Sequence, residues 1–194
     1  MSSRLVVLAS GNGTNLQAVI DACASGTIDA SVVAVISDQP AATALERART
    51  AGLEAIALPR LEGEVRVDYD TRLADTVAQR QPDWVVLAGW MRILTMKFLG
   101  CFPDHVINIH PALPGEFPGT NAIERAFDAG CDHTGVMIHL VPDEGVDNGP
   151  VLGTTTVLIN PGDSLELLRE RMHRAEHELL VTTISRLCAQ EVTA

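Results

Sequence analysis

Residues 4–23 read RLVVLASGNGTNLQAVIDAC, and the order of residue types along this stretch decides the fold. After Arg4 the run to Ala9 is continuously apolar and of strand length, the pattern of a strand buried on both faces. Leu16, Val19, Ile20 and Cys23 then recur at helical spacing until Gly26 stops the helix. A buried strand therefore passes through a glycine-containing turn into an amphipathic helix. The same unit repeats downstream: SVVAVIS (31–37) is the next strand, AATALERARTAG (41–52) the next helix, and EAIAL (54–58) a third strand. A polar stretch, RLEGEVRV (60–67), leads into a helix with Tyr69, Leu73 and Val77 on one face. DWVVLAG (83–89) and HVINI (105–109) supply two more apolar strands. Such alternation predicts an α/β fold, a mostly parallel sheet with helices on both faces. After Gly130 the pattern changes. TGVMIHLV (134–141) and PVLGTTTVLI (150–159) read as strands with no helix between them, which predicts an antiparallel edge. The last element opens with GDSLELL (162–168), where Asp163 and Glu166 fit a capping box, and runs as a long helix toward Cys188.

Composition narrows the function. A chain of 194 residues, 46% hydrophobic, supports one substantial core, so a single domain is expected over 1–194. The formal charge is −11, and Lys97 is the lone lysine among fourteen cations. An acidic surface repels phosphate backbones and anionic lipid, which argues against nucleic acid and membrane as partners. Cys23, Cys101, Cys131 and Cys188 show no CxxC spacing and read as reduced thiols of a cytoplasmic protein. The apolar run in MSSRLVVLAS is too short for a signal or membrane segment.

Chemistry in such a sheet gathers where strand C-terminal ends meet helix N-termini. In the first turn, Gly11 and Gly13 allow a sharp bend, and the exposed amides that follow suit an anion such as phosphate. A dinucleotide fingerprint fits worse, because its third glycine falls on Leu16, and no lysine is near enough for a P-loop. The second signal is VINIHPALPGEFPG (106–119). Asn108 and His110 sit at i and i+2 and so face one side of a strand; an amide can donate to a developing oxyanion, and an imidazole can do so or carry a proton. The third is PDEGVDNGP (142–150), which holds Asp147 in a tight loop; a carboxylate beside an imidazole favours its charged form. The fourth is HRAEH (173–177), which matches an H-x-x-E-H zinc signature. Only seventeen residues follow His177, with Glu178 and Glu191 as the remaining acids, so a third ligand is hard to supply.

Together SGNGTNLQAVIDAC, LERARTAG, VVLAGWMRIL, NIHPAL with FPG, DEGVDNGP and AEH resemble, in order and spacing, the phosphoribosylglycinamide formyltransferase family over nearly the whole chain. The resemblance implies a Rossmann-like formyltransferase fold, with a nucleotide-binding half at about 1–100 and a folate and catalytic half at about 101–194. It implies formyl transfer from 10-formyltetrahydrofolate, a co-substrate, to the amine of glycinamide ribonucleotide in purine biosynthesis, with no metal. Carried over by motif, Gly11, Asn12, Gly13, Thr14 and Asn15 would bind the nucleotide, Gly13, Thr14 and Asn15 holding its phosphate, with His173 and Glu176 also on the nucleotide and Glu176 at the ribose hydroxyls. Arg66, Met91, Arg92, Ile93, Leu94, Val141, Asp143 and Glu144 would form the folate side, Arg66 meeting the glutamate tail. Asn108, His110 and Asp147 would be catalytic, with Asp147 keeping the His110 ring charged. The partners implied are small molecules, and the assembly is a monomer or homodimer.

Two departures from the family pattern carry expectations of their own. Its Leu-Leu-Pro is replaced by Leu113-Pro114-Gly115-Glu116, which predicts an altered loop behind His110. Many relatives continue into a further strand pair, whereas this chain ends at Ala194, which predicts a shorter sheet edge or a different dimer contact. Related chemistries are a deformylase using water as acceptor and an enzyme formylating initiator tRNA; the first normally carries an extra amino-terminal domain, and the second needs a basic surface. A noncatalytic folate- or nucleotide-binding module is the reading from a different class.

Overall fold

A computed structural model describes residues 2–191. The end of the chain at Ala194, and with it the expected shorter edge, lies outside the described residues. Seven strands form one sheet: β1 (Ser3–Leu8), β2 (Ala30–Ser37), β3 (Ala55–Ala57), β4 (Trp84–Leu87), β5 (Val106–His110), β6 (His133–Leu140) and β7 (Val151–Leu158). Their spatial order is β3-β2-β1-β4-β5-β6-β7. The first five run parallel, and β6 and β7 are antiparallel to their neighbours. Six helices accompany them: α1 (Thr14–Ala24), α2 (Thr43–Thr50), α3 (Arg66–Ala78), α4 (Met96–Leu99), α5 (Ala122–Asp128) and α6 (Leu165–Glu191). The mostly parallel sheet with an antiparallel edge is as the residue pattern predicts.

Period-two alternation divides the core into two layers. Leu5 and Val7 of β1 join Leu16 and Val19 of α1 and Leu168, Met172 and Ile184 of α6 on one face. Val6 and Leu8 join Tyr69, Leu73 and Val77 of α3 and Phe98 of α4 on the other. The order of strand addition reverses between β1 and β4, so a crevice opens outside their C-terminal ends, where open α/β sheets bind ligands.

Three details differ from the sequence reading. α4 and α5 have only four and seven residues, too short for a helical period to show. Arg66 is the first residue of α3 and does not belong to the polar stretch before it. The Asp163/Glu166 capping box does not form. Ser164 Oγ accepts the Leu167 N–H at 3.2 Å, while Asp163 accepts the Asn160 N–H at 2.6 Å and pairs with Arg171. The cap lies one residue later, because Asp163 closes the preceding turn.

Leu73 is fully buried and Leu61 is 60% exposed. Leu73→Ala is expected to destabilise the protein by about 2–5 kcal/mol, and Leu61→Ala by less than about 0.5 kcal/mol, measured from urea unfolding midpoints at constant m-value.

Candidate active site

The glycine turn is shaped by its contact with α2. Gly13 adopts φ +76°, and a Cβ there would lie 2.8 Å from the Ala44 Cβ, so glycine is demanded both by conformation and by close approach. Ala44 N–H donates to the Gly11 carbonyl at 3.1 Å, and α1 begins at Thr14 with no side-chain cap. Asn15 follows, its side chain buried and hydrogen-bonded to Glu176 of α6. The sheet thus brings the turn at 11–15 together with Glu176. His173 lies one turn earlier on α6, exposed, with Nε2 4.0 Å from a Glu176 oxygen. The Ser10 N–H donates to Gly89 O, and Ser10 Oγ accepts the Met91 N–H, each at 3.0 Å, which joins this turn to the loop after β4.

That loop walls a cleft of about 610 Å³. Met91, Arg92, Ile93, Leu94, Asn108, His110, Val141, Asp143 and Asp147 all line it, so both halves of the chain contribute. Arg66 and Glu144 face each other outside this lining: Arg66 Nη2 meets a Glu144 oxygen at 2.7 Å, and its Nε donates to Ile93 O at 3.1 Å. The second Glu144 oxygen accepts the Met96 N–H at 3.3 Å. The Arg92 guanidinium stacks on Tyr69 at 4.7 Å and lies 3.5 Å from buried Asp38.

At the cleft wall, Asp147 gathers the polar groups. Its side chain is 10% exposed. One oxygen takes the Gly119 N–H at 2.8 Å and lies 3.3 Å from His110 Nδ1; the other takes the Asn108 amide at 3.2 Å and lies 3.7 Å from His139 Nε2. Local backbone aims it there. Asp147 sits at φ +51°, and Gly149 packs so closely that a Cβ would lie 1.8 Å from Leu140 O.

Hydrogen-bond chemistry fixes the proton positions. His139 Nδ1 lies 2.7 Å from Leu140 O, which can only accept, so Nδ1 carries the proton. In the neutral ring Nε2 is then a lone pair facing the Asn108 amide nitrogen at 3.2 Å. The reverse amide orientation would set the Asn108 oxygen against the Asp147 carboxylate. Asn108 therefore spends its two N–H groups on His139 and Asp147.

His110 Nε2 lies 3.2 Å from Phe117 O. The loop carrying that carbonyl is where the early proline was expected to matter. Pro114 and Gly115 occupy the central positions of a turn closed by Glu116 N–H to Leu113 O at 3.0 Å, with Gly115 at φ +80°, the proline-glycine order that a type II turn favours. Phe117 follows at φ +43°.

Burial shifts two of these groups against their charged forms. It holds the His110 ring below the ordinary imidazole value, although Asp147 pulls the other way. The expectation that Asp147 keeps His110 charged is corrected accordingly: desolvation of a nearly buried ring outweighs one carboxylate. For Asp147 itself burial opposes ionisation, but the neighbouring His139, the Gly119 amide and His110 together hold it below the usual carboxylate range. Glu176 is pushed up to about 7 by burial, which the Asn15 hydrogen bond only partly offsets.

Sequence reading missed His139. Its signal was present, a histidine in an otherwise apolar strand, but recognising it requires the register that sets His139 opposite Asn108. The Phe117 carbonyl and Gly119 amide are backbone groups that no residue type announces.

A glycine turn after β1, Asn108 and His110 on β5, His139 on β6, Asp147 in the loop that follows, and the cleft this cluster lines are the parts of a group-transfer site on an α/β sheet. A formyl transferase family model matches residues 3–184, and the chain belongs to that family. It is 42% identical to phosphoribosylglycinamide formyltransferase of Dictyostelium discoideum, over 96% of this chain and 98% of that protein. It is 40% identical to the Escherichia coli enzyme of the same name, over 93% and 85%. Among solved structures, glycinamide ribonucleotide transformylase 1 of Geobacillus kaustophilus superposes with a TM-score of 0.92 at 39% identity, covering 97% of this chain and all of that one.

The Glu176 shift has a testable sign. Its folded pKa lies above its unfolded value, so the native state holds the extra proton, and stability falls as pH rises from about 4.5 to about 7. Glu176→Gln removes this penalty. The variant is expected to gain stability relative to the parent between pH 5 and pH 8, at a scale of about 1.4 kcal/mol per pKa unit. Urea unfolding at both pH values measures it, and a pH-independent difference would contradict the assignment.

Proposed function

We propose that the protein transfers the formyl group of 10-formyltetrahydrofolate to the primary amine of glycinamide ribonucleotide, as a cytoplasmic step of purine synthesis. The observation that carries this reading is the Asn108–His139–Asp147–His110 network on the wall of a cleft whose β4 loop is tied to the glycine turn through Ser10. Family membership and the names of the relatives support the same acceptor. In this reading the turn at 11–15 takes the phosphate, Glu176 and His173 meet the ribose side, and the folate enters along Met91–Leu94, Val141 and Asp143. Its glutamate tail exchanges with Glu144 for Arg66.

The proposed chemistry follows from which hydrogen bonds strengthen during reaction. The amine attacks the formyl carbon, and negative charge develops on the formyl oxygen. One Asn108 N–H now held by His139 Nε2 is available to that oxyanion, and a bond to a charged acceptor is about twice as strong as a neutral one. Only such a differential gain lowers the barrier. His110 faces two acceptors, Asp147 and Phe117 O, an arrangement that suits an imidazolium. Resting neutral because it is buried, the ring takes the proton of the attacking nitrogen, and Asp147 stabilises the charge as it forms. The proton then passes to the departing folate nitrogen, and the tetrahedral adduct collapses to the formamide and tetrahydrofolate.

A spectrophotometric assay with 10-formyl folate tests the acceptor. Absorbance should change only when the amine nucleotide is present; equal turnover in water alone would indicate a deformylase, and binding without turnover a noncatalytic module. Asp147→Asn keeps size and removes charge. Turnover is expected to fall by about 100-fold or more, with dissociation constants for both ligands within about threefold. Unchanged turnover would make Asp147 an ordinary loop carboxylate.

A further inference from the structure

Arg47, on α2, has no place in the chemistry above, yet it grips the anion turn. Its Nε donates to the Asn12 carbonyl at 2.8 Å and its Nη2 to the Asn12 side-chain oxygen at 2.8 Å. The third nitrogen, Nη1, reaches Gln17 Oε1 at 3.3 Å. One guanidinium thus holds both the main chain and the side chain of a single turn residue, a use of its planar fork that lysine cannot reproduce. α2 backs the same turn through Ala44, at Gly11 and Gly13.

All three of these acceptors are neutral. Arg49, two residues away, is paired with Glu46 at 2.5 Å, and Gln17 separates Arg47 from Asp21, whose carboxylate takes the Gln17 amide at 2.9 Å. Among the described residues no carboxylate lies within ion-pair distance of Arg47. Its charge therefore remains uncompensated beside the turn, in a chain whose net charge is −11.

We propose that Arg47 is a positioning residue and electrostatic partner for the anion bound at residues 11–15: it locks Asn12 so that the turn amides converge, and it supplies the positive charge that the turn itself lacks. The inference rests on the reading of this turn as a phosphate site. It selects for a phosphorylated acceptor over its uncharged counterpart, without contact with the reacting atoms.

The test compares glycinamide ribonucleotide with the dephosphorylated riboside as acceptors, using the full chain and the variants Arg47→Met, Arg47→Gln and Arg47→Lys. Arg47→Met is expected to raise the nucleotide KM by about 10- to 100-fold, the range for losing a charge-assisted interaction. Its kcat, the formyl-donor KM and the riboside KM should all stay within about threefold. Arg47→Lys should recover part of the loss, since it keeps the charge and loses the fork. Inhibition by inorganic phosphate should weaken in the same order. A variant that keeps the parent's preference for the nucleotide, or loses nucleotide and riboside equally, overturns the proposal. If the parent itself does not distinguish the two acceptors, the phosphate reading fails and this inference falls with it. Should Arg47→Met not fold, Arg47→Gln carries the same comparison.

Discussion

A carboxylate that is nine-tenths buried must find hydrogen bonds or give up its charge, and Asp147 finds them on two segments. The Gly119 amide comes from the loop after β5 and the Asn108 amide from β5 itself, while the His139 ring of the antiparallel β6 stands 3.7 Å away. His110 completes the set at 3.3 Å. The requirement is mutual. Without Asp147, Asn108 would lose the acceptor that fixes its orientation, and the Gly119 amide would lose its partner. The positive φ of Asp147 and the close packing of Gly149 are the local costs of holding one charge where four groups converge.

The change in strand direction at β5 and β6 makes that convergence possible. A parallel neighbour would have needed a crossover helix, carrying its chain end away to the far side of the sheet. An antiparallel β6 sets His139 directly across from Asn108 and returns the chain to the same end, where the 141–150 loop folds over the cleft. On the other side, the reversal between β1 and β4 opens space for the glycine turn. The two parts of the site are thus products of the two irregularities in an otherwise uniform parallel sheet, and Ser10 links them through Gly89 and Met91.

The fold was legible because buried strands and amphipathic helices differ in period, and RLVVLAS followed by Leu16, Val19 and Ile20 shows both within twenty residues. Asn108, His110 and Asp147 were legible as residue types at strand and loop ends. His139 and Arg47 were not, since each acts through a partner distant in sequence, Asn108 and Asn12, and only register or helix placement brings them together. The Asp163 cap failed for a local reason: two overlapping turn motifs compete for one carboxylate, and the turn at Asn160 holds it. The charge on His110 was misjudged because a sequence displays the neighbouring carboxylate but not the depth of burial that outweighs it. The displaced proline of the 113–116 loop lies in a Pro-Gly turn, after which the Phe117 carbonyl sits 3.2 Å from the His110 ring.

The central claim is that burial and Asp147 together set the protonation of His110, in a network whose other imidazole, His139, is oriented by the Leu140 carbonyl. Nitrogen-15 NMR of the histidine rings across pH, in the parent and in Asp147→Asn, tests it most directly. In the parent, His110 should titrate below the ordinary imidazole value, and neutral His139 should be the Nδ1–H tautomer, as the Leu140 carbonyl requires. In the variant, His110 should titrate lower still, because the favourable charge is gone while burial remains. A His110 titration that is identical in the two proteins, or a neutral His139 protonated on Nε2, would contradict the account.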